Sequence, residues 1–169
     1  YQRRVREMHK ILLLGLDAAG KTTLLTQLNQ KHSHWPTMGF DVDTMNYEHF
    51  SFYCWDVGEW SQRTRPIERH YYEKAKGMIF MVDSNDQEQL EQANIEMRFR
   101  LNQEQLNNIP LLILANKQDL PAALNLQQIK QRLHLDDLNR QWYLQACCAR
   151  TGEGIQNGLK QLKQMMKRL

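Results

Sequence analysis

The chain has 169 residues, 41% of them hydrophobic, enough to bury about two-thirds of the unfolded surface in one globular domain spanning 1–169. Its 22 basic and 19 acidic residues leave a net charge of +3, too small and too dispersed to argue for a nucleic-acid partner. Three cysteines, two of them adjacent at Cys147 and Cys148, exclude the disulfide framework of a secreted domain and fit a reducing cytoplasmic setting.

No apolar run approaches the ~20 residues of a membrane span, and no signal-peptide pattern opens the chain. It starts at Tyr1, so an acyl anchor or amphipathic segment upstream stays open, and with it peripheral contact with intracellular membranes. The cluster Arg3-Arg4-Val5-Arg6 reads as a solvated terminus in preference to a lipid contact.

Apolar runs of strand length recur at 8–14, 40–47, 50–55, 78–82, 111–115 and 142–146, with helical patterns between most of them. That alternation predicts an α/β fold with a mainly parallel sheet. The first run leads into Gly15-Leu16-Asp17-Ala18-Ala19-Gly20-Lys21-Thr22-Thr23, which fits G-x-x-x-x-G-K-[ST]. Gly15 and Gly20 let the chain curl until backbone N–H groups face one concavity, and the helix over 21–30 adds its positive end. Lys21 supplies a charge for the β- and γ-phosphates, and the Thr22 hydroxyl a ligand for Mg²⁺. The competing reading, a turn that binds nothing, is disfavoured by the strand before and the helix after.

Only Glu48 and His49 separate the second and third runs, room for a hairpin but not for a crossover helix. Leu90, Ala93, Met97 and Leu101 share one helical face, with Ser84 and Gln87 spaced as a capping box. Asn125 and Gln128 repeat that start signal before Leu126, Ile129 and Leu133, and Ile155, Leu159, Leu162, Met166 and Leu169 form the stripe of a closing helix. His32 and His34 have the spacing of metal ligands, but with no third ligand nearby a solvated loop is the better reading.

A phosphate loop alone does not separate ATP from GTP users. Asn116-Lys117-Gln118-Asp119, directly after the run at 111–115, does. The Asp119 carboxylate accepts from guanine N1–H and the 2-amino group, a donor pair that adenine lacks, and such a bidentate contact discriminates by ~1–3 kcal/mol. Lys117 lies over the base plane, and Asn116 ties this loop to the phosphate loop.

With both constellations present, the chain resembles the Arf and Arf-like branch of the Ras-superfamily small GTPases. The matching segments are the loop at 15–23, Pro36-Thr37-Met38-Gly39-Phe40, Trp55-Asp56-Val57-Gly58, Arg65-Pro66 with Arg69-His70-Tyr71, and Asn116-Lys117-Gln118-Asp119-Leu120-Pro121. The resemblance implies a P-loop NTPase fold of the Ras-like kind, a six-stranded, mostly parallel sheet with helices on both faces. It implies a Mg²⁺-dependent GTP/GDP switch that recruits effectors in intracellular trafficking.

By the same comparison Asp17, Ala18, Ala19, Gly20, Lys21, Thr22 and Thr23 hold phosphate, and Cys148 and Ala149 close on the guanine. Thr37 ligates Mg²⁺ and meets the γ-phosphate, Asp56 holds a magnesium-bound water, and the Gly58 region senses the γ-phosphate. Phe40, Trp55 and Tyr71 correspond to an exposed aromatic triad used by effectors, beside the alternative that they are half-buried sheet side chains. Exchange factors and GTPase-activating proteins would meet the same switch loops.

One segment departs from the family. Where Asp-Val-Gly-Gly-Gln is usual, the chain reads Asp56-Val57-Gly58-Glu59-Trp60-Ser61-Gln62. Glu59 sets a carboxylate near the γ-phosphate, and at an effective dielectric of about 20 two unit charges about 6 Å apart repel by about 3 kcal/mol unless the side chain turns away. Trp60 has no acceptor with which to orient water. Slow hydrolysis is therefore expected, with Lys21 and Thr37 as catalytic residues and Gln62 able to act only if the one extra residue that this chain carries before Arg65-Pro66 loops it back. A nucleotide-bound scaffold that does not hydrolyse is the alternative. Arg150 stands where the family often carries a small residue or lysine, and is expected to stack on or near the base.

Overall fold

The computed structural model describes residues 7–29, the backbone of 37–38, and residues 42–58 and 65–169. The strands are β1 (His9–Gly15), β2 (Thr37–Met38), β3 (Asp43–Tyr47), β4 (Phe50–Asp56), β5 (Gly77–Asp83), β6 (Leu111–Asn116) and β7 (Trp142–Ala146). The helices are α1 (Lys21–Asn29), α2 (Arg65–Tyr72), α3 (Leu90–Leu101), α4 (Leu126–Arg132) and α5 (Ile155–Met166). One sheet of order β2-β3-β4-β1-β5-β6-β7 holds them together. All six strands expected from the apolar runs are present, and β2 adds a two-residue strand at the edge.

From β4 to β7 every neighbouring pair is parallel, while β2 pairs antiparallel with β3, and β3 with β4 through a turn at Glu48 and His49. Glu48 takes a left-handed conformation, φ 52°, in that turn.

The central strands read as continuous apolar runs because both faces of the sheet are covered. Ile11, Leu13, Ile79 and Met81 point into one core with residues of α1 and α5, and Leu12, Leu14, Met78 and Phe80 into the other with residues of α3 and α4. Alternation along a strand thus sends neighbours to opposite cores.

Asn125 and Gln128 form the expected capping box, each side chain bonding the other's backbone N–H at 2.9 and 3.0 Å. The one expected at Ser84 and Gln87 is not formed. Ser84 is fully buried, its hydroxyl accepts from Gln118 Nε2 at 2.9 Å, and α3 begins after a short 3₁₀ turn with no side-chain cap. Leu126 also departs from its expected stripe: the first residue of α4 is exposed, while Ile129 and Leu133 are buried.

The helix α2 is fastened to α3 by buried charge. Arg100 is fully buried and forks onto Glu68, Nη2 to Oε1 at 2.9 Å and Nε to Oε2 at 3.1 Å, while its Nη1 also pairs with Glu96. Tyr72 donates its hydroxyl to Glu68 Oε2 at 2.8 Å, and Arg65 reaches Glu96 from the start of α2 at 3.4 Å. Among the described residues, two carboxylates therefore face two guanidinium groups. Burial alone would lower the Arg100 pKa, but its bonds and charge contacts with Glu68 and Glu96 outweigh it and raise the value.

Candidate nucleotide site

The parallel registers bring several strand ends to one edge. Gly15 pairs with Asp56 and Met81, and Asp83 pairs with Asn116. Ligands of open α/β sheets bind beyond such carboxyl ends, where the loops diverge.

The loop between β1 and α1 turns through Ala18, φ 63°, and Gly20, φ 110°. Left-handed backbone is costly for alanine, and such strain concentrates where a site demands it. Gly15 has a different role from the curl expected of it: a Cβ there would sit 2.5 Å from the Met81 carbonyl oxygen, so the residue allows two strands to approach. At Gly20 a Cβ would collide with Asn116 Nδ2.

Lys21 opens α1 and is buried, at 4% exposure. Its ammonium donates to the carbonyls of Gly15 at 2.9 Å and Leu16 at 2.8 Å and pairs with Asp56 Oδ1 at 2.6 Å. The lysine is thus held at the mouth of the loop, against the end of β4. Thr22 and Thr23 are exposed on the first turn of α1. Asp56 is 62% exposed and, with the Thr22 hydroxyl, offers the hard oxygen chemistry that Mg²⁺ prefers. Asp17 and Ala18 are exposed on the loop and Ala19 is buried.

Asn116 is buried and joins three segments. Its Nδ2 donates to the Ala19 carbonyl at 2.9 Å, and its Oδ1 accepts from Ala149 N at 2.8 Å and from the Cys147 thiol at 3.6 Å. Burial, and then the neighbouring Cys148, push the Cys147 pKa up to about 12, so this thiol remains a neutral donor across the working range. Lys117, in left-handed backbone at φ 65°, extends to Asp83 Oδ2 at 2.7 Å. Gln118 braces the loop from behind, bonding Ser84 and the Leu124 carbonyl. Asp119 accepts from Arg150 Nη2 on Oδ2 at 3.1 Å. Arg150 therefore lies on the carboxylate.

Trp55 corrects the expectation of an exposed aromatic triad. It is 6% exposed within the core, 5.7 Å from the ring of Tyr71 and 6.3 Å from that of Tyr72. The helix α2 lies over this end of β4, and its Tyr71 and Tyr72 cover the indole. Tyr71 is half-buried beside it. The Thr37 backbone pairs with Thr44, and its hydroxyl lies outside the described residues. Phe40, Glu59, Trp60, Gln62, His32, His34 and the cluster Arg3 to Arg6 also lie outside them. Gly58 follows β4 at the edge of the described part. Among the described residues no group of three or more His, Cys, Asp or Glu is placed to hold a metal, and no helix is long and apolar enough to cross a membrane.

A glycine-bounded loop running from the first central strand into a helix, with a second loop tied behind it, is the architecture of P-loop nucleotide-binding proteins. The sequence model of the Arf family, described as the ADP-ribosylation factor family, matches residues 2–166, and the chain belongs to that family of Ras-superfamily small GTPases. Its members are switches that bind guanine nucleotide with Mg²⁺.

Three features of the site lie beyond the sequence reading. Asp83 receives Lys117, Gln118 acts as a brace, and Arg150 meets Asp119. Only the last had a signal, an arginine directly after Cys148 and Ala149.

Proposed function

We propose that residues 1–169 form one G domain, in which Asp17 to Thr23 cradle the phosphates of GTP or GDP and Asn116, Lys117, Asp119, Cys148 and Ala149 receive the guanine. The reading rests chiefly on Asn116, whose side chain bonds both the phosphate loop and the loop carrying Ala149. Tethering the two loops fixes the distance between base and phosphate positions, which a nucleotide site requires.

Lys21 neutralises phosphate charge, exchanging its Asp56 contact for phosphate oxygens. Thr22, Thr37 and Asp56 would hold Mg²⁺, Asp56 through a bound water. The ion would neutralise charge on the β- and γ-oxygens. Contacts from Thr37 and Gly58 to the γ-phosphate would order the two switch loops, and hydrolysis would release them. Trp60 in the glutamine position makes that hydrolysis slow. The GTP state would recruit effectors in trafficking at cytoplasmic membrane surfaces through these loops.

Nucleotide extracted from the purified protein, with single-turnover GTP hydrolysis in the presence and absence of Mg²⁺, tests this reading. Bound guanine nucleotide, lost in Lys21→Ala, is expected. ATP in the extract, or a turnover rate typical of the family and abolished by Gln62→Ala, would overturn the base assignment or the slow step respectively.

A further inference from the structure

The edge of guanine that a carboxylate reads is an N–C–N array with two N–H donors pointing the same way. An arginine head carries the same array. One nitrogen of the Arg150 head, Nη2, donates to Asp119 Oδ2 at 3.1 Å.

Its backbone is held there by fixed neighbours. Ala149 N bonds Asn116, Cys148 N bonds the Glu153 carbonyl, and the Thr151 carbonyl accepts from Gln27 at 3.3 Å. The head itself is loosely kept, with a side chain 77% exposed against 31% for Asp119. Such a pair contributes little to stability, so a ligand displaces it at small cost.

We propose that Arg150 is an internal competitor for the guanine-reading carboxylate, a specificity-determining residue that weakens guanine nucleotide binding and speeds release. The inference rests on the proposed role of Asp119. As guanine leaves, the arginine takes over the Asp119 contact, so the carboxylate does not have to be left bare in the transition state for dissociation. Adenine nucleotides make no claim on the carboxylate through such a donor pair, and Arg150 leaves their affinity unchanged.

Equilibrium affinities and dissociation rates for GDP and ADP, measured on wild type, Arg150→Ala, Asp119→Ala and the double variant, test this. Arg150→Ala is expected to bind GDP about two- to fivefold more tightly, chiefly through slower release, with ADP unaffected. In the Asp119→Ala background the arginine substitution should have no effect. Added salt should bring wild type closer to Arg150→Ala, because it screens the exposed pair.

If wild type prefers GDP and loses that preference in Asp119→Ala, while Arg150→Ala binds GDP equally or less tightly, the competitor is refuted and the base reading stands. If wild type shows no preference for GDP over ADP, the base reading itself falls and the competitor falls with it. Thermal melts of each variant separate these outcomes from misfolding.

Discussion

Two arginine–carboxylate contacts in this molecule share their chemistry and differ in surroundings. Arg100 and Glu68 meet in a fully buried fork between α2 and α3, whereas Arg150 and Asp119 meet at the open edge of the sheet. Inside, both partners have lost their water, and each depends on the other for compensation. At the edge, water replaces either partner at once, which makes the carboxylate available to a ligand. The same pair of groups is a fastening in one place and an exchangeable contact in the other.

Removing one buried partner should have the largest effect. Arg100→Ala leaves Glu68 and part of Glu96 uncompensated and is expected to cost about 3–5 kcal/mol in urea denaturation. Removing the Glu68 charge as well, as Glu68→Leu with Arg100→Met, should recover part of that loss, Glu96 keeping its contact with Arg65. If the single variant proves as stable as wild type, burial does not distinguish the two pairs.

Asn116→Ala comes next. It strips a buried carbonyl at Ala19 and a buried amide at Ala149 of their partner, so a loss of about 2 kcal/mol or more is expected, together with weaker GDP binding. Calorimetry of the same preparation reads both. Asp119→Ala should barely move the melting temperature but lower the preference for GDP over ADP by roughly 10- to 100-fold. A large drop in stability there would mean that the edge pair is structural after all. The smallest effect belongs to the solvated contact between Lys130 and Asp136 at 3.2 Å, where Lys130→Ala should change stability by less than about 0.5 kcal/mol.

The legible parts of the molecule were those fixed by local pattern. Strand runs, the two-residue hairpin turn and the Asn125–Gln128 cap each depend on residues a few positions apart, and each is present. Ser84 shows where local spacing fails: Gln118, 34 positions away, takes the hydroxyl that a cap would have used. Arg100 was hidden for a related reason. Its neighbour Leu101 lies on the apolar stripe of α3, and helical spacing alone gives no sign that a charge beside that stripe has a partner on α2. Trp55 misled because its cover comes from α2: the rings of Tyr71 and Tyr72 lie against the indole, while Tyr53, two residues earlier on the same strand, remains partly exposed. At the site, motif spacing named Asn116 and Asp119 and drew notice to Arg150, but the pairing of Arg150 with Asp119 becomes visible only once β6 and β7 lie side by side.

The crowding between Gly20 and the amide of Asn116 has a consequence for engineering. Even a methyl group on residue 20 would occupy space that the amide already fills. A loop grafted from another scaffold at either position would have to bring its counterpart with it, so the two motifs are inherited as one mechanical unit although the chain encodes them far apart.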